Sequence, residues 1–432
     1  MQVRRYKNLM SFKSDSGRAL AFHARNLTVA EISDEAWLGF DDDRTEARAE
    51  LELWNSEIDT DTQDEIKQDR IQSLSLNIAQ ICNLKCDYCA AGGDGTYGSE
   101  ISKIDTSIAE KQIRHFLTRA KENEVFRVEY LGGEPLLYPQ IIESLCRYAE
   151  LLAVGRNIEL EFIMTTNGTL INSAVAKMLG KYRFGLTISL DGDKTTNDRV
   201  RPAKVKGKSS TELTLTGLSS LEPYRDQLLY LNVNSVFGSH NTAVNAAYDF
   251  LDSLKLNWST INFNFANNEA STEAAATEKY LLEMTQLAER LYRESGIEGL
   301  SRVSQFRRPL SRLIAQTRAN SYCSAGKSLI LADTKGDLYA CNWFMNDKEE
   351  KVGAITEISD EARVHYRPEL IDLNDCQSCW ARHLCGGGCM AVHKGFTGNK
   401  HLKNPYFCQR TREIAKVAIH YFADSFSNTN PN

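Results

Sequence analysis

Cys82, Cys86 and Cys89 are spaced CxxxCxxC in the run Cys82-Asn-Leu-Lys-Cys-Asp-Tyr-Cys89. Three soft thiolates at this spacing suit three irons of a [4Fe–4S] cluster and leave the fourth iron without a protein ligand. An iron with a free position can bind a small molecule and pass an electron into it. Leu74, Leu76 and Ile78 alternate with polar residues just upstream, which predicts a strand running straight into the cysteine loop. The glycines of Ala90–Gly98, just beyond it, let the backbone wrap closely around a cluster.

A second cysteine region follows near the carboxyl end: Cys323, Cys341 after Gly336, then Cys376-x2-Cys379-x5-Cys385-x3-Cys389, and Cys408. Of the 11 cysteines only Cys146 stands apart, inside an apolar helical repeat where a thiol packs as a small hydrophobe. The amino terminus lacks the apolar core of a signal peptide and no stretch approaches 18 apolar residues, so the chain reads as cytoplasmic. There, clustered cysteines read as metal-binding or catalytic rather than as disulfides. A net charge of −6 gives no basic field, and neither nucleic acid nor a membrane is expected as a partner.

The length, 432 residues with 42% hydrophobic content, predicts two or three domains. In residues 1–70, Leu9–Phe12 and Ala19–His23 read as a β-hairpin turning at Asp15–Gly17, followed by a short helix near Val29–Phe40. An acidic, polar stretch then has Leu51, Leu53 and Trp54 as its apolar anchors. This α+β appendage is either a connector packed on the main body or a peptide-binding element that accepts a strand at its edge. From residue 71 strands alternate with helices: Val125–Leu131, Ile158–Thr165, Phe184–Leu190, Leu229–Val236 and Ile261–Phe265 are strand candidates. Ile108–Leu117 is a representative helix, and Thr272–Arg293 a helical connector. Six such units imply right-handed βαβ crossovers and an α/β fold, a partial (β/α)6 TIM-like barrel with its site at the carboxyl ends of the strands.

The polar motifs fall just past those strands: Gly132-Gly133-Glu134-Pro135, then Thr165-Thr-Asn167-Gly168, then Ser189-Leu-Asp191-Gly192 with Arg201 beyond. Together with the CxxxCxxC and its aromatic Tyr88, this set resembles the radical SAM enzymes. The resemblance implies that S-adenosylmethionine (SAM) chelates the open iron and is cleaved to methionine and a 5′-deoxyadenosyl radical, which abstracts a hydrogen. It implies that Gly132, Gly133 and Glu134 take the methionine amino group, that Ser189 and Arg201 bind ribose or carboxylate, that Asn167 contacts the cofactor and that Tyr88 packs on adenine. Turn and cap chemistry is the competing reading for Asn167, Ser189 and Asp191. Asp191 is the candidate catalytic group.

The carboxy-terminal cysteines resemble the SPASM domain of peptide-modifying radical SAM enzymes. That resemblance implies two auxiliary iron–sulfur clusters, the first on Cys323, Cys341 and Cys389 and the second on Cys376, Cys379, Cys385 and Cys408. Fully ligated members carry one more cysteine about six residues before Cys323. Thr317 stands there in this chain, so the first auxiliary cluster has three cysteines and either an open iron or another ligand. Zinc is the rival reading, held at one site by four cysteines and at another by three cysteines with His383 or His393.

The domains expected are the appendage over 1–70, a possible leader-peptide-binding region; a radical SAM core over 71–300; and the SPASM domain over 301–432. The resemblance implies a maturase of ribosomally made peptides, of the darobactin and cyclophane type, that installs C–C or C–O cross-links, with C–S as a further outcome. Its partners would be a precursor peptide with its leader and an electron donor such as flavodoxin or ferredoxin. Alternatives are formylglycine formation as in anaerobic sulfatase maturation and a non-catalytic iron–sulfur protein.

Overall fold

The computed structural model describes residues 3–13, 17–41, 46–56, 63–64, 70–89, 102–266 and 270–427. In chain order its strands are β1 (Val3–Tyr6), β2 (Leu9–Lys13), β3 (Ala19–His23), β4 (Thr28–Ile32), β5 (Gln63–Asp64), β6 (Ser73–Ala79), β7 (Val125–Gly132) and β8 (Glu159–Thr166). They continue as β9 (Gly185–Ser189), β10 (Tyr230–Phe237), β11 (Thr260–Phe265), β12 (Thr317–Arg318), β13 (Leu329–Ala332), β14 (Asp337–Tyr339), β15 (Lys351–Ala354) and β16 (Glu357–Ile358). The described residues form two compact units, one within Gln68–Asn268 and Ser324–Arg367, the other within 1–67, Glu269–Cys323 and Pro368–Asn432.

The first unit is built on a ten-stranded sheet in the order β11-β10-β9-β8-β7-β6-β13-β14-β15-β16. From β6 to β11 every neighbouring pair is parallel, the six βα units of a partial barrel that the sequence predicts. Alternation explains the two faces: Phe126, Val128, Tyr130, Phe162, Met164, Leu186, Ile188, Leu231, Val233, Ile261 and Phe263 are all buried. Helices such as Thr106–Leu117 lie over that apolar face with Ile113, Phe116 and Leu117 buried, each worth about 1.5–3 kcal/mol. Asp105 starts this helix by accepting the Ser107 and Ile108 N–H groups. The intervening positions, Glu129, Thr165, Ser189 and Asn234 among them, occupy the opposite face. Cys146 is fully buried and its thiol donates to the Tyr130 hydroxyl, the structural role its helical setting predicts.

The sheet does not end at β6. Strand β13 pairs with it in parallel and β14–β16 add an antiparallel extension. These strands are short, at two to four residues, and too brief for a periodic signal.

In the second unit β1–β4 form an antiparallel sheet in sequence order. The β2–β3 hairpin is as expected, although residues 14–16 of its turn lie outside the described residues. Val29–Phe40 is not one helix: Thr28–Ile32 pairs with β3, where β-branched Thr28, Val29 and Ile32 are well suited, and a helix begins only at Asp34, after Ser33 accepts the Ala36 N–H. One sheet face packs Met10, Phe12, Leu20 and Phe22 against Leu313, Trp380, Leu384 and Ile419. The other holds Leu9, Ala21, Phe40 and Leu51 with Trp54 beside them, whereas Leu53, also expected as an anchor, is 66% exposed. The connector helix is longer than predicted, Ala270–Ser301, and breaks at Ser295–Gly296, where Gly296 has φ +58°.

Candidate active site

Strand β6 delivers the chain to Cys82, and the next elements fix the loop. The Gly133 N–H donates to the Ala79 carbonyl at 2.7 Å and the Glu134 N–H to the Ile81 carbonyl at 2.9 Å. Only glycines permit this approach: a Cβ on Gly132 would stand 2.5 Å from the Ala79 oxygen, at a φ of +144°, and one on Gly133 would overlap the Ile81 carbonyl. On the other side Lys85 N–H donates to Pro202 O at 2.9 Å and Lys204 N–H to Asn83 O at 3.0 Å.

Glu134 is fully buried and joins two loops. Its carboxylate accepts from Leu136 N–H (3.0 Å), Thr166 Oγ1 (2.7 Å) and Asn167 N–H (2.8 Å). Burial raises its pKa despite those bonds. Asn167 passes the connection on, donating through Nδ2 to Asn83 Oδ1 at 2.9 Å, while Asn83 donates to Thr169 at 2.7 Å and Thr169 Oγ1 to Asn167 Oδ1 at 2.6 Å. Asn167 therefore has both a turn role and a place beside the cysteine loop.

Asp191, completely buried beyond β9, forms an ion pair with Arg201 through Nη2–Oδ1 and Nε–Oδ2, both at 3.0 Å. It also accepts from Val236 N–H at 2.8 Å and from the Tyr88 hydroxyl. This carboxylate is thus placed to hold Arg201 and Tyr88. The Arg201 guanidinium bonds to the Cys86 thiol and lies 5.2 Å from the centre of the Tyr88 ring. His240 stacks on that ring at 4.6 Å between centroids.

The cysteine loop and the strand-end residues meet at one cleft with about 740 Å³ of empty space, part of it open solvent; Asp191, Tyr88 and His240 are not among its lining residues. Cys82, Cys86 and Cys89 line it together with Gly132, Gly133, Glu134, Asn167, Ser189 and Arg201. Burial pushes the Cys82 thiol up to about 12, with nearby Glu134 adding to the rise, and the Cys86 thiol up to about 11. Three soft donors at one cleft suit a cationic cluster, which displaces thiol protons on binding. No three His, Cys, Asp or Glu among the described residues converge on a single-ion position, whereas a cluster takes one thiolate per iron. The Ala90–Gly98 run lies outside the described residues.

Sequence reasoning missed three groups at this site. Glu129 and Asn342 line the cleft, and Asn83 ties the cysteine loop to Asn167. Inward alternation on β7 marks Glu129; Asn342 carries no signal beyond its place after Cys341.

In the other unit Cys376, Cys379, Cys385 and Cys408 lie close enough that, after burial, their mutual repulsion raises the thiols of Cys376 (to about 11) and Cys385 (to about 12). Cys389 and Cys323 interact in the same way. Cys341 belongs to the first unit. Thr317 turns its hydroxyl to the Ala315 carbonyl at 3.1 Å. His393 accepts Asn404 N–H on Nδ1 at 3.2 Å and so donates from Nε2 to Gly387 O at 3.3 Å, which leaves neither nitrogen free for zinc.

A strand-borne three-cysteine loop, closed by GGE backbone and opened to a cleft at the carboxyl ends of six parallel strands, defines a class. The radical SAM superfamily model matches residues 76–219, so this part of the chain is a radical SAM domain. The chain is an enzyme carrying that domain, which removes the non-catalytic alternative. It is similar to the serine-type anaerobic sulfatase-maturating enzyme of Klebsiella aerogenes, 27% identical over 356 residues covering 77% of this chain and 83% of that protein. It is also similar to the mycofactocin maturase MftC of Mycobacterium ulcerans (strain Agy99), 27% identical over 339 residues covering 75% and 84%. Among solved structures it resembles native anSMEcpe with bound AdoMet and Kp18Cys peptide (TM-score 0.68, 19% identity, 82% of this chain and 99% of that one). It also resembles Streptococcus suis SuiB bound to precursor peptide SuiA (0.53, 14%, 94% and 100%). At these identities the likeness is one of fold. No helix among the described residues is long and apolar enough to cross a membrane.

Proposed function

We propose that this radical SAM enzyme matures a ribosomally made precursor peptide by cross-linking its side chains, through C–C or C–O bonds, with C–S as a further outcome. The observation that carries this reading is the cleft itself. Its cysteines and SAM-binding motifs open onto a strand face bearing Glu129, Thr165 and Ser189, a polar lining suited to a substrate rich in amides. Cys82, Cys86 and Cys89 would hold the [4Fe–4S] cluster; Gly132–Glu134, Asn167, Ser189, Arg201 and Tyr88 would hold SAM. Bound there, SAM supplies the radical that removes a hydrogen atom. The carboxy-terminal cysteines would hold two auxiliary clusters, the first with three cysteine ligands. Residues 1–70 would bind the leader, with the edge of β1 or β4 accepting a strand. A flavodoxin or ferredoxin in the cytoplasm would supply the electron.

Formylglycine formation is the second reading, favoured by the similarity to sulfatase-maturating enzymes. Co-expression with the short peptide encoded beside the gene, and separately with a sulfatase, tests both. Cross-linking removes the mass of two hydrogens from the peptide and suppresses fragmentation between the joined residues. Formylglycine appears instead as a hydrazide-reactive aldehyde on the sulfatase. If neither substrate changes mass, both readings fail.

A further inference from the structure

Six titratable side chains line the cleft: Cys82, Cys86, Cys89, Glu129, Glu134 and Arg201. The cysteines are the cluster's donors, Glu134 is bound by three donors from its own loops, and Arg201 is paired with Asp191. Glu129 remains. It sits on β7 beside Ser75 of β6 and Ile163 of β8, with Leu131 two residues on along the same face. Its carboxylate accepts one hydrogen bond, from Ser75 Oγ to Oε2 at 2.5 Å, and among the described residues no Lys, Arg or His forms an ion pair with it. Arg127, two residues before it on β7, is already paired with Glu161 of β8 at 2.5 Å. A carboxyl group facing a substrate cleft with an uncommitted oxygen is costly to keep charged and well suited to exchange a proton.

We propose that Glu129 is the proton acceptor of the reaction, an inference that rests on the maturase reading. Oxidation of a substrate by two electrons requires it. SAM held at the cleft would supply the radical that removes one hydrogen atom as the first C–H bond breaks. The carbon radical then forms its new bond, C–C or C–O in a cross-link or C=O in formylglycine, and the partner group's C–H or O–H bond must break. The proton goes to the Glu129 carboxylate, and an oxidised iron–sulfur centre held by the remaining cysteines would take up the one remaining electron. The balance is the same for either product.

The acid limb of the pH profile follows. Burial raises the Glu129 pKa above the ordinary carboxylate value. The charged and titratable groups around it are Arg127 on its own strand, Glu161 on β8 and Tyr230 on β10, with the cysteines, Glu134 and Arg201 around the cleft. Product formation therefore falls as pH drops through the raised value, while 5′-deoxyadenosine release does not.

The test uses the full-length, iron-reconstituted enzyme with SAM, dithionite and the short peptide encoded beside the gene. Glu129→Gln keeps an acceptor for Ser75 and should preserve iron content and 5′-deoxyadenosine release. Modified peptide should fall about 10²–10⁴-fold, and in heavy water unmodified peptide should return carrying deuterium at the attacked carbon. Glu129→Asp should restore part of the yield with a displaced acid limb. Full product formation by Glu129→Gln with an unchanged pH profile overturns the proposal, as does parallel loss of iron and SAM cleavage, which marks a structural role. A wild-type enzyme that cleaves SAM yet leaves both peptide and sulfatase unchanged sinks the maturase reading itself, and this proposal with it.

Discussion

Gly133 packs against Ile81 so closely that a methyl group on it would overlap the Ile81 carbonyl and stand 2.9 Å from the Cys82 nitrogen. The atoms in its way are backbone, which cannot swing aside as a side chain does. Gly133→Ala should therefore push the cysteine loop outward at a cost of about 1–3 kcal/mol. Reconstituted protein should lose up to about four irons per chain, and SAM cleavage should drop at least tenfold. Iron analysis and 5′-deoxyadenosine release read both, and retention of full iron with wild-type cleavage would show that the loop tolerates the displacement.

Asp191 and Arg201 form a buried pair, and breaking it from one side leaves the other charge uncompensated. Asp191→Ala should destabilise the protein by about 3–5 kcal/mol, and the Asp191→Ala/Arg201→Ala double variant by less than the sum of the singles. Urea midpoints of the four proteins close the cycle. Additive losses would mean that the two side chains act independently.

The strand rhythm from β6 to β11 was legible because each strand is five to eight residues long and its buried alternates are Phe, Leu, Ile and Val, with Tyr130 and Met164. The motif at each strand end was legible for the same reason, since a strand's end locates the cleft. Val29 misled because its apolar neighbours Ala30, Ile32 and Ala36 mimic helical spacing, while the pairing partner that makes it a strand, Phe22, lies across the sheet. Asn83 was invisible for a different cause, since nothing in a one-dimensional pattern shows that it meets Asn167, 84 residues away. Alternation on β7 puts Glu129 on the face opposite Val128 and Tyr130, but only the folded sheet makes that face a cleft lining.

The three proposed clusters should be separable by iron counting. Wild-type protein reconstituted without oxygen should hold about twelve irons per chain if all are [4Fe–4S]. Cys82, Cys86 and Cys89 all changed to Ala should leave about eight and abolish 5′-deoxyadenosine release. A colourless, zinc-loaded wild type would refute the iron assignment, and cleavage surviving in the triple variant would refute the role given to this loop.

Asp198 offers a stability effect with a definite sign. Partial burial pushes its pKa up, but hydrogen bonds from Ser209, Thr211 and Ser210 outweigh this and hold it below the ordinary carboxylate value. Thr211 N–H and Oγ1 reach it at 2.9 and 2.8 Å, linking the helix Lys194–Val200 to the helix Ser210–Leu221. Between these helices runs the Pro202–Lys204 segment that pairs with the cysteine loop. With the folded pKa below the unfolded one, the contribution is complete above the unfolded value and is lost as pH falls through the folded one. Asp198→Asn should therefore lower the thermal midpoint at neutral pH, and the gap from wild type should close in acid. A gap that stayed constant from neutrality down to the carboxylate range would show that the charge of Asp198 carries none of the linkage.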